Sequence, residues 1–478
     1  MKNYLTHLVC ILVLVLISVT YFYPVLSGKS IQQSDISQFK GMSKQIVDHR
    51  EEFNEEPYWL DNAFLGMPSY QVSAKYPFDV LYYIDQTIRF LPRPADYLFL
   101  YLLSFYFLII SLNINYRYAL FGAMAFGFST YLIIILGVGH NTKALALGYL
   151  PLIVAGFLTV LRGSYLKGFL ISSLFLGLQV HANHYQMTYY TLIMLSIIVL
   201  VHYYSFINLK DFKKIYKSFS VFISIGFLAL LMNAPSLLAT KEYSEFSTRS
   251  KNEITINTDG STKESLNGLD KEYITEYSYG ILESFNLVFP RFMGGGSSER
   301  IREDSKFMDF VRSLDSNQAQ QVYQYSKVYW GDQPIVAAPA YIGVSIFFIF
   351  LMSLLLVNDL NRKWILIAVL VSLLLSWGKN FSFLTDLMID YFPLYDKFRA
   401  VSSIQVIIEF CIPLFAVFGL KKFLSVSTDD IKKLNALKYV SVFLILLILV
   451  FYFFGTSLFD FKSDFEIFSQ YPEILSLI

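Results

Sequence analysis

Asp35 is the first acidic side chain in the chain. It stands just behind an apolar run from Leu8 to Val19, so it would lie close outside a membrane that this run enters. A carboxylate in that place can act in catalysis. It can also, with Ser34, cap a helix by accepting from an early backbone N–H, which is the commoner use. Two cations invite a second kind of chemistry. Lys143 closes Gly139-His140-Asn141-Thr142-Lys143 at the mouth of an apolar run, where an ammonium either snorkels to the interface or contacts a lipid phosphate. Arg399, in Tyr395-Asp396-Lys397-Phe398-Arg399-Ala400, carries a guanidinium fork suited to phosphate, with Asp396 or a headgroup as its plainer partner.

Further polar groups fall in the same kind of place. His181 and His184 have helical i, i+3 spacing, which fits a metal pair or, more commonly, helix-end hydrogen bonds. His140, Asn141, His184, Gln186, Arg249 and Lys379 are further candidates for holding a substrate. Tyr329-Trp330 reads as interfacial aromatics or as a stacking platform for a sugar ring. Gly294-Gly295-Gly296 lacks the strand and helix context of a phosphate loop and reads as a flexible turn.

The elements that must position these residues are membrane helices. Of 478 residues 55% are hydrophobic and 16% charged, which excludes a single soluble domain. Hydropathy marks about eleven spans. After the first helix they lie near 97–112, 119–136, 144–161, 168–180, 188–204, 221–238, 340–357, 364–377, 403–420 and 439–454. The expected fold is therefore an all-α polytopic bundle forming one transmembrane domain over 1–478. Lys2 and Val25-Leu26-Ser27 resemble parts of a cleaved signal, yet the long apolar run and the many spans after it favour an uncleaved first helix. Cys10 and Cys411, the only cysteines, both fall inside spans, so no disulfide framework or cysteine metal site is expected. A net charge of +1 carries no nucleic-acid signature.

Threading the spans alternately puts Arg117, Arg162, Lys167, Lys210, Lys213, Lys214, Lys217, Arg362, Lys363, Lys421, Lys422, Lys432 and Lys433 in short loops on the side of the N-terminus. That side is the cytoplasm by the positive-inside rule. The loops 28–94 and 239–339 and a tail at 457–478 then face outward, with the candidate residues. In 28–94, Ile36, Phe39, Met42, Ile46 and Val47 recur at helical spacing, with Lys40, Lys44, Gln45 and Asp48 between them. This reads as an amphipathic helix on the membrane surface. Within the spans Glu409 is almost alone as an ionisable group.

In order and sidedness, Asp35, Gly66-Met67-Pro68, Gly139-His140-Asn141-Thr142-Lys143, His184-Tyr185-Gln186, Pro235 with Glu242-Tyr243-Ser244, Trp377-Gly378-Lys379-Asn380 and Lys397-Phe398-Arg399 resemble the bacterial YfhO family. That family is similar to the GT-C superfamily, whose members transfer sugars from polyprenyl-phosphate carriers outside the membrane. The resemblance implies a GT-C-like fold with Asp35 as the catalytic residue of the first outer loop. It implies a polyprenyl-phosphate-linked sugar as donor, an envelope glycan or glycopolymer as acceptor, and membrane lipids as surroundings. Many such enzymes carry a paired acidic motif where this chain has Asp35 alone. Base and metal-ligand roles therefore both stay open, with room for a divalent cation and no other cofactor. Family members often continue into an outer domain, whereas this chain stops soon after its last span.

The chemistry implied is inverting transfer. Asp35 takes a proton from an acceptor hydroxyl while Arg399 and Lys143 neutralise the departing polyprenyl phosphate. The alternatives are a lipid-linked glycan transporter or flippase, which calls for polar residues deep in the spans, and a non-catalytic envelope scaffold.

Overall fold

The structure is a computed structural model and describes residues 2–247, 249–250, 256, 260–261, 268–325 and 328–459. Those residues form a multi-pass helical membrane protein. The helices, in order, are α1 (Lys2–Tyr21), α2 (Ser34–Phe53), α3 (Val80–Ile88), α4 (Ala95–Ser111), α5 (Tyr116–Gly127), α6 (Thr130–Val138), α7 (Asn141–Leu161), α8 (Tyr165–His181), α9 (Tyr185–Asn208) and α10 (Phe212–Met232). They continue with α11 (Ala234–Ser244), α12 (Lys271–Thr275), α13 (Lys306–Ser313), α14 (Ser316–Tyr325), α15 (Val344–Leu356), α16 (Leu360–Ser376), α17 (Ser382–Tyr391), α18 (Val406–Phe423) and α19 (Asp430–Leu458). Among the described residues the strands are confined to a short antiparallel pair, β1 (Trp59–Leu60) and β2 (Met67–Pro68).

Six helices are long and apolar enough to cross a membrane, or up to eight if each of two bent pairs is one span. This is fewer than the hydropathy runs suggest, for a physical reason. Three helices, α4, α8 and α15, of 17, 17 and 13 residues, fall short of the full crossing length. The run at 119–136 is split into α5 and α6, bent by 45° at Phe128-Ser129, and α16 turns through 113° into α17. The run at 221–238 breaks at Asn233, so α11 begins before the outer loop drawn at 239. The tail drawn at 457–478 lies outside the described residues from 460 onward.

The bundle is built around α7 and α18. Their membrane windows are 89% and 100% buried by protein, against 17% for α10 and 11% for α19. The first two are therefore the core and the last two line the perimeter. Phe105, Phe126 and Phe410 meet at the centre, joining α4, α5 and α18. Basic residues gather at one end, where Arg162 Nη1 donates to the Ser111 carbonyl at 3.0 Å and Lys217 lies 5.8 Å from the centroid of the Tyr165 ring. The candidate residues lie at the other end.

At that other end the loop 28–94 folds over the bundle. On α2, Met42 and Ile46 do not face lipid. They pack with Leu60, Ala63, Met67 and Val72 and with Tyr243 of α11, because the β1–β2 turn lies against them. Phe39 alone of that apolar stripe stays largely open, at 41% exposure. The loop is riveted down by Arg89, which bonds Asp85 and Asp96, while Tyr149 of α7 donates to Asp85 at 2.6 Å. All four side chains are buried, so this ion triad is a fastening point that sequence pattern alone does not reveal.

The three glycines 294–296 are a packed crossing rather than a flexible turn. Gly294 has φ +84°, and a Cβ there would lie 1.9 Å from the Val328 carbonyl oxygen. Only glycine lets these two backbones meet.

Candidate functional site

Asp35 sits in the first turn of α2, and the helix is not capped by it. Gln33 is the N-cap, and no side chain makes the capping bond. The expected capping role of Ser34 or Asp35 is thus replaced by a contact outside the helix: Asp35 Oδ2 lies 3.2 Å from His140 Nε2. Ser34 Oγ is 3.5 Å from the other carboxylate oxygen.

Local backbone chemistry makes that contact. α6 ends at Gly139, whose φ of +104° is accessible to glycine without strain. A Cβ on Gly139 would come within 3.2 Å of the Asp35 Cβ and 3.1 Å of the Gln33 Cβ, so the missing side chain lets α2 begin directly on the α6–α7 corner. Gln33, which the sequence pattern does not single out, then clamps the two segments. Its amide donates to the Leu136 carbonyl and to Asn141 Oδ1 at 3.3 Å, and Asn141 Nδ2 donates back at 3.4 Å. Asn141, expected to hold substrate, spends its amide on this clamp.

Lys143 lies in the first turn of α7. Its ammonium donates to Ser403 Oγ at 3.3 Å and the Tyr131 hydroxyl at 3.4 Å, and it has no carboxylate within ion-pair distance among the described residues. His184, the N-cap residue of α9, is close enough to Lys143 and His140 to feel both. Burial first, then the Lys143 ammonium and the neighbouring His140 ring, push its pKa down to about 3, so it is neutral at physiological pH. Burial and Lys143 also lower the pKa of His140, while Asp35 opposes them. A neutral His140 still donates one N–H, and Asp35 is placed to receive it.

The α17–α18 connection closes the group from a third direction. Gln186 Nε2 donates to the Arg399 carbonyl at 2.6 Å and to the Tyr190 hydroxyl at 2.8 Å, which ties α9 to that connection. The Arg399 guanidinium bonds the Tyr273 hydroxyl and lies 4.9 Å from that ring's centroid; its side chain is otherwise exposed. Arg249 bonds the Lys397 carbonyl, and its pKa is lowered by burial and then by Arg399. Arg249 is thus near enough to Arg399 to feel its charge, and both lie at the segment around Lys397.

The remaining candidates are elsewhere. Trp330 packs its ring on Phe459 at 5.7 Å and against Gly294, so it belongs to the glycine crossing. Lys379 is held through its backbone N–H, which donates to Ser278 Oγ at 3.0 Å, and its side chain is exposed. His181 pairs with Asp79 at 2.8 Å and not with His184. The carboxylate comes from the loop 28–94, far off in sequence. Among the described residues no group of three or more His, Cys, Asp or Glu is arranged to hold a metal ion.

Asp35, His140, His184 and Lys143 thus form one group drawn from α2, the α6–α7 corner and the α8–α9 corner, and the Gln186 bond to the Arg399 carbonyl joins it to the segment that carries Arg399 and holds Arg249. Comparison with family models, with curated proteins and with solved structures finds no match to this chain.

Proposed function

We propose that the protein is a membrane glycosyltransferase of the GT-C kind, related to the YfhO proteins. In this reading it moves a sugar from a polyprenyl-phosphate carrier to an envelope acceptor on the outer face of the cytoplasmic membrane. The observation that carries the reading is the contact of Asp35 with His140 beside Lys143, with Arg399 and Arg249 on the segment that Gln186 ties to the same end of the bundle. A carboxylate suited to taking a proton stands near Lys143, which has no carboxylate partner among the described residues and suits a phosphate leaving group.

The steps follow from the chemistry of these groups. The lipid phosphate approaches along the membrane surface and binds Lys143 and Arg399. The acceptor hydroxyl attacks the anomeric carbon, the bond from that carbon to the phosphate oxygen breaks, and the hydroxyl proton passes to Asp35. The N–H of neutral His140 orients the carboxylate without cancelling its charge. His184 stays uncharged, which leaves the positive field to the lysine and arginines. Orientation follows from the basic end of the bundle: placed in the cytoplasm, it puts the N-terminus inside and the site outside.

A transporter reading needs polar groups deep in the spans, and Glu409, buried on α18 and bonded by Ser129 at the α5–α6 break, is one such group. The deciding experiment is sugar transfer from polyprenyl-phosphate donors by purified protein, set against translocation of the same lipids across vesicles.

A further inference from the structure

Beside the Asp35 site, four side-chain atoms are sealed from solvent with no hydrogen-bond partner: the hydroxyls of Tyr76 and Tyr185, Thr188 Oγ1 and Asn183 Oδ1. Asn183, Tyr185 and Thr188 come from the α8–α9 corner and the first turn of α9, and Gln71 and Tyr76 of the outer loop reach that corner at Asn183 and Tyr185. Tyr185 and Thr188 are three residues apart on the first turn of α9, hence on one side of it. Tyr76 is close to Tyr185, and burial followed by that phenol pushes the Tyr76 hydroxyl up to about 12. Asn183 points its amide N–H to Gln71 at 3.0 Å and leaves its carbonyl oxygen without a donor.

Thr188 is the informative member. A helical threonine ordinarily folds its hydroxyl back on the carbonyl four residues earlier, as Thr191 does here at 2.8 Å to Met187. Thr188 makes no such bond, so its hydroxyl is left for something else. Unpaired buried polar atoms are costly, and four around this corner beside a reactive centre call for a partner.

We infer that this seam between the corner and the outer loop is a binding subsite for the ring of a neutral sugar, bounded by Tyr76, Asn183, Tyr185 and Thr188, beside His184. Three hydroxyls that both donate and accept, plus one amide oxygen, match a polyol ring. The phenols of Tyr58, Tyr70 and Tyr76, with centroids 6.2 and 6.3 Å apart, supply the apolar faces that a pyranose stacks on. The ring enters when the 71–76 segment lifts; Gln71, bonded to Asn183 and to Thr240 at 2.6 Å, is the latch. This rests on the glycosyl-transfer reading and adds to it the residues that hold the sugar.

The test is saturation-transfer NMR on the full protein in nanodiscs, titrated with methyl glycosides of glucose, galactose and mannose. At least one binds the native protein, and Tyr76→Phe, Tyr185→Phe and Thr188→Val each weaken it by about three- to tenfold, the loss of one neutral hydrogen bond. Thermal stability is read alongside. Removing a hydroxyl that has no protein partner leaves the melting temperature unchanged or raises it, so an affinity loss cannot be a folding loss. Asp35→Asn keeps the binding, which separates this outcome from failure of the transfer reaction. If no glycoside binds, or if the three variants bind as the native protein does, the seam holds water only and the inference is overturned.

Discussion

Asp35 Oδ2 and His140 Nε2 lie 3.2 Å apart although 105 residues separate them in sequence (140 − 35). The contact exists because Gly139 offers no Cβ to keep α2 away from the α6–α7 corner, and because Gln33 and Asn141 clasp the two segments. It takes Asp35 out of the local role of a helix cap. The pairing of a half-exposed carboxylate with an imidazole disposed to stay neutral is the relationship from which the proposed mechanism starts.

The donor phosphate is where the mechanism is most exposed to mutation. Arg399→Lys lowers turnover by about a hundredfold, since an ammonium cannot reproduce a planar two-point contact on a group gaining charge. Lys143→Arg is milder. Steady-state turnover and donor KM of the two variants check this, and full turnover in both Arg399→Lys and Arg399→Ala would remove Arg399 from the site.

The His184 environment predicts a pH signature. Its folded pKa, about 3, is below the ordinary histidine value of 6.5. The unfolded chain therefore binds a proton that the folded chain refuses, and the resulting destabilisation sets in as pH falls below 6.5 toward 3. By pH 5 the penalty is about 1 kcal/mol after allowing for partial exposure. Between pH 7.5 and 5, His184→Gln should lose less melting temperature than the native protein. An equal drop in both would show that His184 titrates normally.

The fastening of the outer loop is tested at Arg89. Its guanidinium bonds two buried carboxylates, so Arg89→Met leaves Asp85 without a cation and Asp96 with only Arg93 at 3.8 Å, and costs about 3 kcal/mol. The triple change Arg89→Met, Asp85→Leu, Asp96→Leu recovers much of this. Thermal unfolding in detergent checks both. A single variant as stable as the native protein would show that the triad does not hold the loop.

Much of this architecture is legible in the sequence, because apolar runs announce helices whatever their partners. The limits are equally physical. Hydropathy measures a run but not its breaks, so it does not reveal the bend at Phe128-Ser129 or the turn of α16 into α17. At the site, residue type and end of the bundle point to Asp35, His140, Lys143, His184 and Arg399. Pairing across long sequence separations leaves no periodic trace, and so Gln33, the Arg89 triad and the Asp79–His181 pair go unseen. Trp330 and Asn141 show the opposite: suggestive side chains whose contacts are used up within the fold.

Sidedness has its own test. Single cysteines at Ser37 and Ser261 should react with an impermeant thiol reagent from outside intact cells, and one at Ser425 should not. The native Cys10 and Cys411 are 3% and 0% exposed, so the background is low. The reverse pattern would place the site in the cytoplasm.

The most direct measurement is transfer of labelled sugar from a polyprenyl-phosphate donor in proteoliposomes, comparing the native protein with Asp35→Asn. Asparagine keeps the size and polarity of the side chain but takes no proton, and Asp35 caps nothing, so α2 is left intact. The account predicts that the native protein releases polyprenyl phosphate with formation of the glycosylated acceptor, and that Asp35→Asn slows this by about a hundredfold or more while the protein stays folded. Equal rates for native protein and Asp35→Asn would contradict it, as would transport of the intact lipid-linked sugar with no bond broken.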